Sequence, residues 1–498
     1  MLATIESWCS VNRITARINF VFMVQYNSDL WSNLIRICGK LSASLNPIRI
    51  VGTKQEMDAM DRPLEESHAA MRPHTYRPRI VDAQIKRYLT LFGAIEVSGT
   101  KWCGKTWSSL AHANSVTYVD RGANLEVVRA DPTFALAGET PHVIDEWQRV
   151  PAVWDTVRHA VDDAGGARGL WILTGSSTPR KGEVAHSGAG RYGRIRMHPC
   201  TLQESGDSTG AISLSGLFEG KFRATACPSS VVELSRLICR GGWPDALGAS
   251  AADAQSIVRE YLDAIFEQSI PLLGGDPALA RRLVRSLART LGQSASNVTL
   301  AQDVFMHEEK KAVTDVEQRE ISRHLGLLLR IYLLDDVEGW VPATRSSRRM
   351  RTSPKRYFAD PSMAISLLGM NESSLLQDWQ TFGLLFENLC MRDLDVYARA
   401  MELADTSPVR YYHDDSGLEI DAVVELCDGR WGAFEIKLSQ EKVDDAAKHL
   451  VRMRDKLLKN SHERIREPEF LAVLLGVGEA AYKRPDGVLV IPLRALGA

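Results

Sequence analysis

The chain has 498 residues, with 60 Lys and Arg against 62 Asp and Glu and a formal net charge of −2 at pH 7. This balance excludes a protein that coats nucleic acid through a uniformly basic surface, although it allows local basic patches. Hydrophobic content of 45% and charged content of 24% are ordinary for globular proteins, and the length predicts about three domains. The eight cysteines show no C-x-x-C spacing, so neither a zinc site nor a disulfide framework is indicated.

The N-terminal residues 1–72 show no sustained hydrophobic period, and two interpretations of them stay open. They are an upstream extension, or the start is misassigned and the folded protein begins near His74. The first predicted element is a helix over 81–92. No apolar run is long enough to cross a bilayer, so we predict a cytoplasmic protein without a membrane partner.

Residues 73–245 alternate short apolar runs with helical segments, which is typical of an α/β fold with a parallel sheet. Ligands bind such a sheet at the carboxyl ends of its strands. We therefore predict a parallel-sheet module with its site at that edge. The predicted strands are Ala94–Ser98, Ser115–Val119, His142–Asp145 and Leu170–Thr174.

A phosphate-loop motif, G-x-x-x-x-G-K-T, lies between the first predicted strand and a helix. Backbone N–H groups in such a turn converge on one point, backed by the positive end of the helix dipole. Lys105 would reach the β- and γ-phosphates, and the Thr106 hydroxyl would bind Mg²⁺. The motif predicts ATP or GTP binding by Gly99, Thr100, Lys101, Trp102, Cys103, Gly104, Lys105 and Thr106.

Four further polar residues fit nucleotide hydrolysis. Asp145 would hold Mg²⁺, and Glu146 would orient and partly deprotonate the attacking water. Ser176 follows another predicted strand, where it would contact the γ-phosphate or the water; a plain turn is the alternative. Arg191, after a small-residue stretch, would stabilise transition-state charge, in its own subunit or across a subunit boundary. A solvated loop arginine is the alternative.

Residues 246–345 are predicted to be helical and to resemble a winged helix-turn-helix. The pattern from 277 to 345 is a helix, a short helix, a third helix and a two-stranded piece over 331–341. This region would contact DNA through the third helix and the basic stretch after it, or would serve as a rigid connector and subunit contact. The basic stretch comprises Arg345, Arg348, Arg349, Arg351, Lys355 and Arg356.

Residues 346–498 are predicted to form a separate α/β domain with a carboxylate site. A strand from Ala422 to Leu426, an Asp-Gly turn and a strand from Trp431 to Lys437 form a hairpin that brings Asp421 close to Glu435. Lys437 shares a face with Glu435, because strand side chains alternate. Asp421 and Glu435, with Glu387 from a helix over 382–397, would bind a hard cation, and Lys437 would assist a water. Ordinary amphipathic strand design is the alternative.

Several motifs together resemble a prokaryotic family of AAA-type ATPases whose C-terminal domain has no assigned function. The resemblance covers residues 75 to 498 and implies ATP rather than GTP, with the roles given above for Lys105, Thr106, Asp145, Glu146, Ser176 and Arg191. The D…E-x-K pattern and the helix after it resemble the PD-(D/E)xK nuclease core. The motifs are Gly99–Thr106, Val143–Glu146, Leu173–Ser176, Ser187–Arg191, Gly241–Pro244, Phe358–Ser362 and Leu385–Glu387.

Two functions remain open at this point. The first is an ATP-hydrolysing enzyme that drives a nuclease-like domain on DNA with Mg²⁺ as cofactor. The second is a nucleotide switch that controls assembly, such as a homo-oligomer, or a protein partner, with an inert C-terminal domain. A small-molecule kinase is disfavoured, since no acceptor-site pattern is visible.

Overall fold

The computed structural model describes residues 71–178, 182, 188–306, 312–342, 353–459 and 465–498. These residues belong to one unit, which spans Ser67–Ala498. Nearly all of the predicted N-terminal extension, Ser187 and most of the basic stretch after the third helix lie outside the described residues. None of the helices in the described ranges is long and apolar enough to cross a membrane.

The first sheet has five parallel strands in the order β2-β3-β4-β1-β5, which confirms the predicted parallel sheet. The fifth strand was not predicted. The strands are β1 (Ala94–Gly99), β2 (Ser115–Tyr118), β3 (His142–Asp145), β4 (Trp171–Gly175) and β5 (Tyr192–Met197).

Helices cover both faces of this sheet. They are α1 (Val81–Leu91), α2 (Lys105–Leu110), α3 (Asn124–Ala130) and α4 (Ala152–Asp163). On α4, Val153, Val157 and Val161 are buried at four-residue spacing, so one apolar stripe faces the sheet. On the other face Ile85 of α1 packs with Ile95 of β1 in a second cluster. The two clusters hold the strands of the sheet from both faces. Because the strands are parallel, their carboxyl ends lie at the same edge.

The middle of the chain is mainly helical, as predicted. Its elements are α5 (Leu202–Ser205), β6 (Ile212–Ser213), α6 (Leu214–Phe218), β7 (Thr225–Ser229), α7 (Val231–Arg240), α8 (Ala251–Ala264), a π-helical turn (Ile265–Ser269), α9 (Ile270–Leu272), α10 (Pro277–Arg289), α11 (Asn297–Val304), α12 (Asp315–Arg330) and β8 (Leu334–Val337).

The two-stranded piece after α12 differs from the prediction. Strand β8 pairs antiparallel with β9 (Lys355–Phe358), not with a second strand inside 331–341. The reason is that Trp340 is buried against Trp431 and Tyr412, so the chain leaves β8 toward the C-terminal sheet. The winged-helix interpretation stays a prediction.

The C-terminal part is a mixed seven-stranded sheet in the order β10-β11-β12-β13-β15-β14-β7. Apolar clusters cover both faces of this sheet, with Leu389 on one face and Leu450 on the other. The elements are α13 (Pro361–Leu367), α14 (Glu372–Leu375), α15 (Trp379–Arg399), β10 (Ala404–His413), β11 (Glu419–Leu426), β12 (Trp431–Lys437), α16 (Val443–Leu458), β13 (Phe470–Leu475), β14 (Gly478–Lys483), β15 (Leu489–Pro492) and β16 (Leu496–Gly497).

Two strand pairings join distant parts of the chain. Strand β7 pairs antiparallel with β14, and β6 pairs parallel with β16. Both β6 and β7 come from the predicted ATPase domain (73–245), and both partners come from the predicted C-terminal domain (346–498). The predicted boundaries are therefore crossed by backbone pairing.

Candidate nucleotide and carboxylate sites

The phosphate loop leaves the carboxyl end of β1, where two glycines are required by the backbone. A Cβ on Gly99 would lie 2.1 Å from the carbonyl oxygen of Met197, so only glycine fits there. Gly104 has φ 103°, in the left-handed region that favours glycine. The Lys105 ammonium is buried and donates to the carbonyl oxygen of Thr100 at 2.7 Å. The loop therefore folds back over its own lysine and forms a closed turn.

The two predicted Mg²⁺ ligands lie together. The Thr106 hydroxyl, in the first turn of α2, donates to Oδ1 of Asp145 at 2.8 Å. Thr174, at the end of the neighbouring strand β4, donates to the same oxygen. This arrangement follows from the parallel sheet, because β1, β3 and β4 all end at this edge.

Glu146 is held in an unusual backbone conformation next to Asp145. Its φ of 56° and ψ of 39° are left-handed, which costs free energy for a residue with a side chain. Ser176 donates its hydroxyl to Oε2 of Glu146 at 3.0 Å, and the Gln148 amide donates to the same oxygen. Predicted residues Glu146 and Ser176 thus meet. Gln148 was missed, although it lies only two residues beyond Glu146.

A cavity of about 540 Å³ opens in front of the phosphate loop. This volume lies within the range of small-ligand sites. The Gly241–Pro244 motif reaches it through Pro244, which lies beside Gly104. A second cavity of about 1130 Å³ adjoins it and shares Lys101 and Glu146. The first cavity is lined by Tyr76, Arg79, Lys105, Thr106, Asp145 and Glu146, among others.

Arg191 is not brought to this site. It precedes β5, whose first residue Tyr192 pairs with Ala94 at the opposite end of β1 from the phosphate loop. The length of β1 corresponds to roughly 17 Å. The Arg191 guanidinium donates to Asp162 at 2.8 Å, and this hydrogen bond lowers the pKa of Asp162. An action of Arg191 on the nucleotide of its own subunit does not fit this position.

The predicted hairpin of the C-terminal region forms and brings its polar residues together. Lys437 lies 3.1 Å from Oδ2 of Asp421 and 2.5 Å from Oε2 of Glu435. The backbone N–H of Ile436 donates to Asp421 at 2.7 Å, and His449 of α16 lies 3.3 Å from Glu435. The pairing of β11 with β12 places these groups, and one ammonium bridges both carboxylates.

A second part of this cluster centres on Glu387 of α15. Tyr357 donates its hydroxyl to Oε1 of Glu387 at 2.6 Å, and Lys355 lies 3.6 Å from the same oxygen. Lys355 also pairs with Glu419. The sequence pattern placed Lys355 only in a basic stretch, so its contact with these carboxylates is new. Its partners are more than 30 residues away, and no local motif identifies them.

Burial and mutual repulsion shift the pKa values of these acids. Burial, and then the charge of Asp421, raise the pKa of Glu435 to about 9. Burial raises the pKa of Glu387 to about 7. Burial acts in the same direction on Asp421, but the charge of Lys437 and hydrogen bonds outweigh it and hold that pKa below its usual value. The folded site therefore favours a proton on Glu435.

The predicted metal set of Glu387, Asp421 and Glu435 is only partly assembled. In the described part of the chain, no group of three or more His, Cys, Asp or Glu side chains is arranged to hold a metal ion. Lys437 links Asp421 to Glu435, and Lys355 contacts Glu387. The lysine ammonium groups therefore make the contacts that the prediction assigned to a metal ion.

Sequence families match three consecutive parts of the chain. Residues 92–206 match the AAA domain family, and they contain the phosphate loop, Asp145 and Glu146. This module is an AAA-type P-loop domain. Residues 232–374 match a domain of unknown function, DUF8612, and residues 382–496 match another, DUF4143. The AAA-type part of the resemblance is thus confirmed.

Two mycobacterial relatives show sequence similarity over most of the chain. Uncharacterized proteins of Mycobacterium bovis and Mycobacterium tuberculosis are 26% identical over 362 residues, which cover 71% of this chain and 72% of each relative. The Walker-type ATPase of Pyrococcus abyssi has 12% identity and a TM-score of 0.37, with 61% of this chain and all of that chain covered.

Proposed function

We propose that this protein hydrolyses ATP, with Mg²⁺·ATP bound at the phosphate loop. The observation that carries the proposal is the 2.8 Å hydrogen bond between the Thr106 hydroxyl and Asp145. Hydroxyl and carboxylate oxygens are the ligands that Mg²⁺ takes beside phosphates. They lie next to Lys105, in a cavity of suitable size. ATP is proposed over GTP because the sequence has no N-K-x-D element that would read guanine.

In this mechanism each residue has one task. Backbone N–H groups of the loop and Lys105 bind the phosphates, and Thr106 and Asp145 hold the cation. Glu146 orients the attacking water and accepts its proton. Ser176 and Gln148 fix the Glu146 carboxylate through their hydrogen bonds. Arg191 has a role only in trans, toward the nucleotide of a second copy in a homo-oligomer.

We also propose that ATP turnover is coupled to a nuclease-like C-terminal domain that acts on DNA. The order of helix α15, strands β10 to β12, helix α16 and strand β13 supports it, with Asp421, Glu435 and Lys437 on adjacent strands. Fully ionised, Glu387, Glu419, Asp421 and Glu435 carry four negative charges against two lysines. One divalent cation would neutralise the remainder.

A second candidate function is a nucleotide switch with an inert C-terminal domain. The observation that favours it is the pairing of Lys437 with both hairpin carboxylates, since these ion pairs already act as counterions. In that case ATP binding would regulate assembly or a protein partner, and DNA would be no substrate.

ATP turnover measured with and without DNA tests these proposals. Wild type should hydrolyse ATP, and Lys105→Ala should not. If turnover is coupled to a DNA-directed domain, duplex or single-stranded DNA should stimulate the wild type.

A second assay follows Mg²⁺-dependent nicking of plasmid DNA. Asp421→Ala and Lys437→Ala should abolish it, while Asp428→Asn, in the exposed turn of the same hairpin, should not. Turnover without DNA stimulation, DNA affinity or nicking would leave the switch as the remaining function.

A further inference from the structure

Arg79 is a buried cation beside the phosphate loop and belongs to no motif in the sequence. It lies two residues before α1 and is 8% exposed. One nitrogen of its guanidinium, Nη1, donates to the carbonyl oxygen of Cys103, inside the phosphate loop, at 2.8 Å. The other, Nη2, donates to the carbonyl oxygen of His198, just after β5, at 2.8 Å. The side chain thus ties the loop to the sheet.

The orientation of this guanidinium is fixed by Glu204. Nε of Arg79 lies 2.9 Å from Oε1 of Glu204, and both side chains are almost fully buried. Glu204 also accepts from the backbone N–H groups of Ile80 and Thr201, each at 2.8 Å. Thr201 and Glu204 form the capping box of α5, which holds the carboxylate on a fixed backbone. A buried, multiply bonded ion pair of this kind restricts the arginine to one position.

The contact with Cys103 determines where the next N–H group points. In a trans peptide, the C=O and the N–H lie on opposite sides of the chain. A Cys103 carbonyl directed at Arg79 therefore places the N–H of Gly104 on the opposite side of this peptide. Gly104 is also left-handed, and a Cβ there would lie 3.2 Å from Nη1 of Arg79. A side chain at position 104 would be strained by this backbone conformation and would crowd the Arg79 guanidinium.

We propose that Arg79 is a positioning residue of the nucleotide site. Its guanidinium holds the Cys103–Gly104 peptide so that the Gly104 N–H donates to a bound nucleoside di- or triphosphate. The inference rests on the proposed function, because it requires that the phosphate loop binds nucleotide. Arg79 lowers the free energy needed to order the phosphate loop when the nucleotide binds. It takes no part in breaking the bond to the γ-phosphate.

Calorimetric titration of the full chain with ADP and with Mg²⁺ and a non-hydrolysable ATP analogue tests this role. Arg79→Met combined with Glu204→Gln removes both charges, so neither is left buried alone. We expect its dissociation constants to rise about tenfold, the worth of roughly one hydrogen bond to a charged group. Arg79→Lys should show a smaller rise, about threefold, since an ammonium lacks the planar fork. In turnover assays KM should rise and kcat should change less than twofold.

A matched control separates positioning from stability. Arg410 is equally buried in β10 and pairs with Glu425 at 3.2 Å and with the more exposed Asp405 at 2.6 Å. Arg410→Met with Glu425→Gln should lower the melting temperature but keep nucleotide affinity within twofold of wild type. Unchanged affinity in both Arg79 variants would overturn the inference alone. No nucleotide binding by folded wild type would overturn the proposed function as well. Should the double variant fail to fold, Arg79→Lys decides by the same criterion.

Discussion

The proposed hydrolysis depends on single residues at the strand ends. Among them, Glu146 is held in an unusual backbone conformation. Its left-handed backbone and its hydrogen bonds with Ser176 and Gln148 hold a carboxylate beside the predicted cation ligands. We predict that Glu146→Gln keeps ATP affinity within about threefold and lowers kcat by about 100-fold or more, because general-base assistance is lost. Glu126→Gln, exposed on α3, is the control. Undiminished turnover in Glu146→Gln would contradict the role.

A second prediction concerns Glu96, a buried acid on β1. Burial raises its pKa to about 7, against the opposing effects of Arg194 and Trp147. The folded state therefore retains a proton that the unfolded state loses above pH 4.5, the ordinary value. The contribution of Glu96 to the free energy of unfolding is therefore fully present below pH 4.5 and is lost as the pH rises toward about 7.

The variant Glu96→Gln removes this titration. Relative to wild type, its free energy of unfolding should rise by roughly 3 kcal/mol as the pH rises from 4.5 to 7, since one pKa unit corresponds to about 1.4 kcal/mol. Above pH 7 the difference should stay constant. Urea denaturation at pH 5 and pH 8.5 measures it. A difference that is independent of pH would show that Glu96 is not buried as described.

Sequence motifs predicted the residues of the proposed nucleotide site that lie within one strand-turn unit. Each of them lies at or just after the carboxyl end of a strand of a parallel sheet, so the sheet brings them together: Lys105, Thr106, Asp145, Glu146 and Ser176. Residues that reach the site from distant parts of the chain could not be predicted. Arg79, for example, touches Cys103 and Glu204, which are 24 and 125 residues away.

Among the strands, local sequence pattern predicted the C-terminal hairpin but missed strand β5. The hairpin was predicted because apolar alternation and the Asp-Gly turn are local signals. Strand β5 was missed because Arg194 and Arg196 interrupt its apolar residues, as expected of a strand at a sheet edge. That omission concealed the position of Arg191, since a residue before β5 must lie at the edge opposite the phosphate loop.

The hairpin cluster gives a prediction that separates two cation sites. Under the nuclease proposal, 10 mM Mg²⁺ without nucleotide should raise the melting temperature of wild type by a few degrees, because binding to the folded state alone stabilises it. Lys105→Ala should keep this rise, whereas Asp421→Asn with Glu435→Gln should lose it. Equal responses in wild type and the hairpin variant would support the switch with an inert C-terminal domain.

Across the molecule, the segment that follows the AAA match of residues 92–206 shares structure with the C-terminal region. Strand β7 completes the C-terminal sheet, and β6 pairs with the last strand of the chain. A buried ion pair adds to this: Arg392 of α15 pairs with Asp360 at 2.6 Å, and Asp360 accepts from the N–H of Gly242 at 2.9 Å. Apart from the Arg392–Asp360 pair, these contacts join residues more than 100 positions apart, so no local sequence pattern predicts them.

This sharing predicts cooperative unfolding. A chain of residues 71–498 should melt in one calorimetric transition. A fragment of residues 71–206 should not fold, because the buried His198 would lose its partner Asp335 and the Leu202 N–H would lose its acceptor Asp393. Removing one partner of a buried charge pair is strongly destabilising, so Arg392→Met should lower stability by about 3 kcal/mol or more. Two separate transitions, or a folded fragment of residues 71–206, would contradict the shared architecture.

The proposed function depends on the binding of Mg²⁺·ATP where β1 turns into α2. Isothermal titration of folded wild type and Lys105→Ala with Mg²⁺·ATP tests it most directly, with circular dichroism to verify folding. We expect one site per chain in wild type and an affinity at least about tenfold weaker in Lys105→Ala. No binding heat in wild type, or equal affinity in the two proteins, would contradict it.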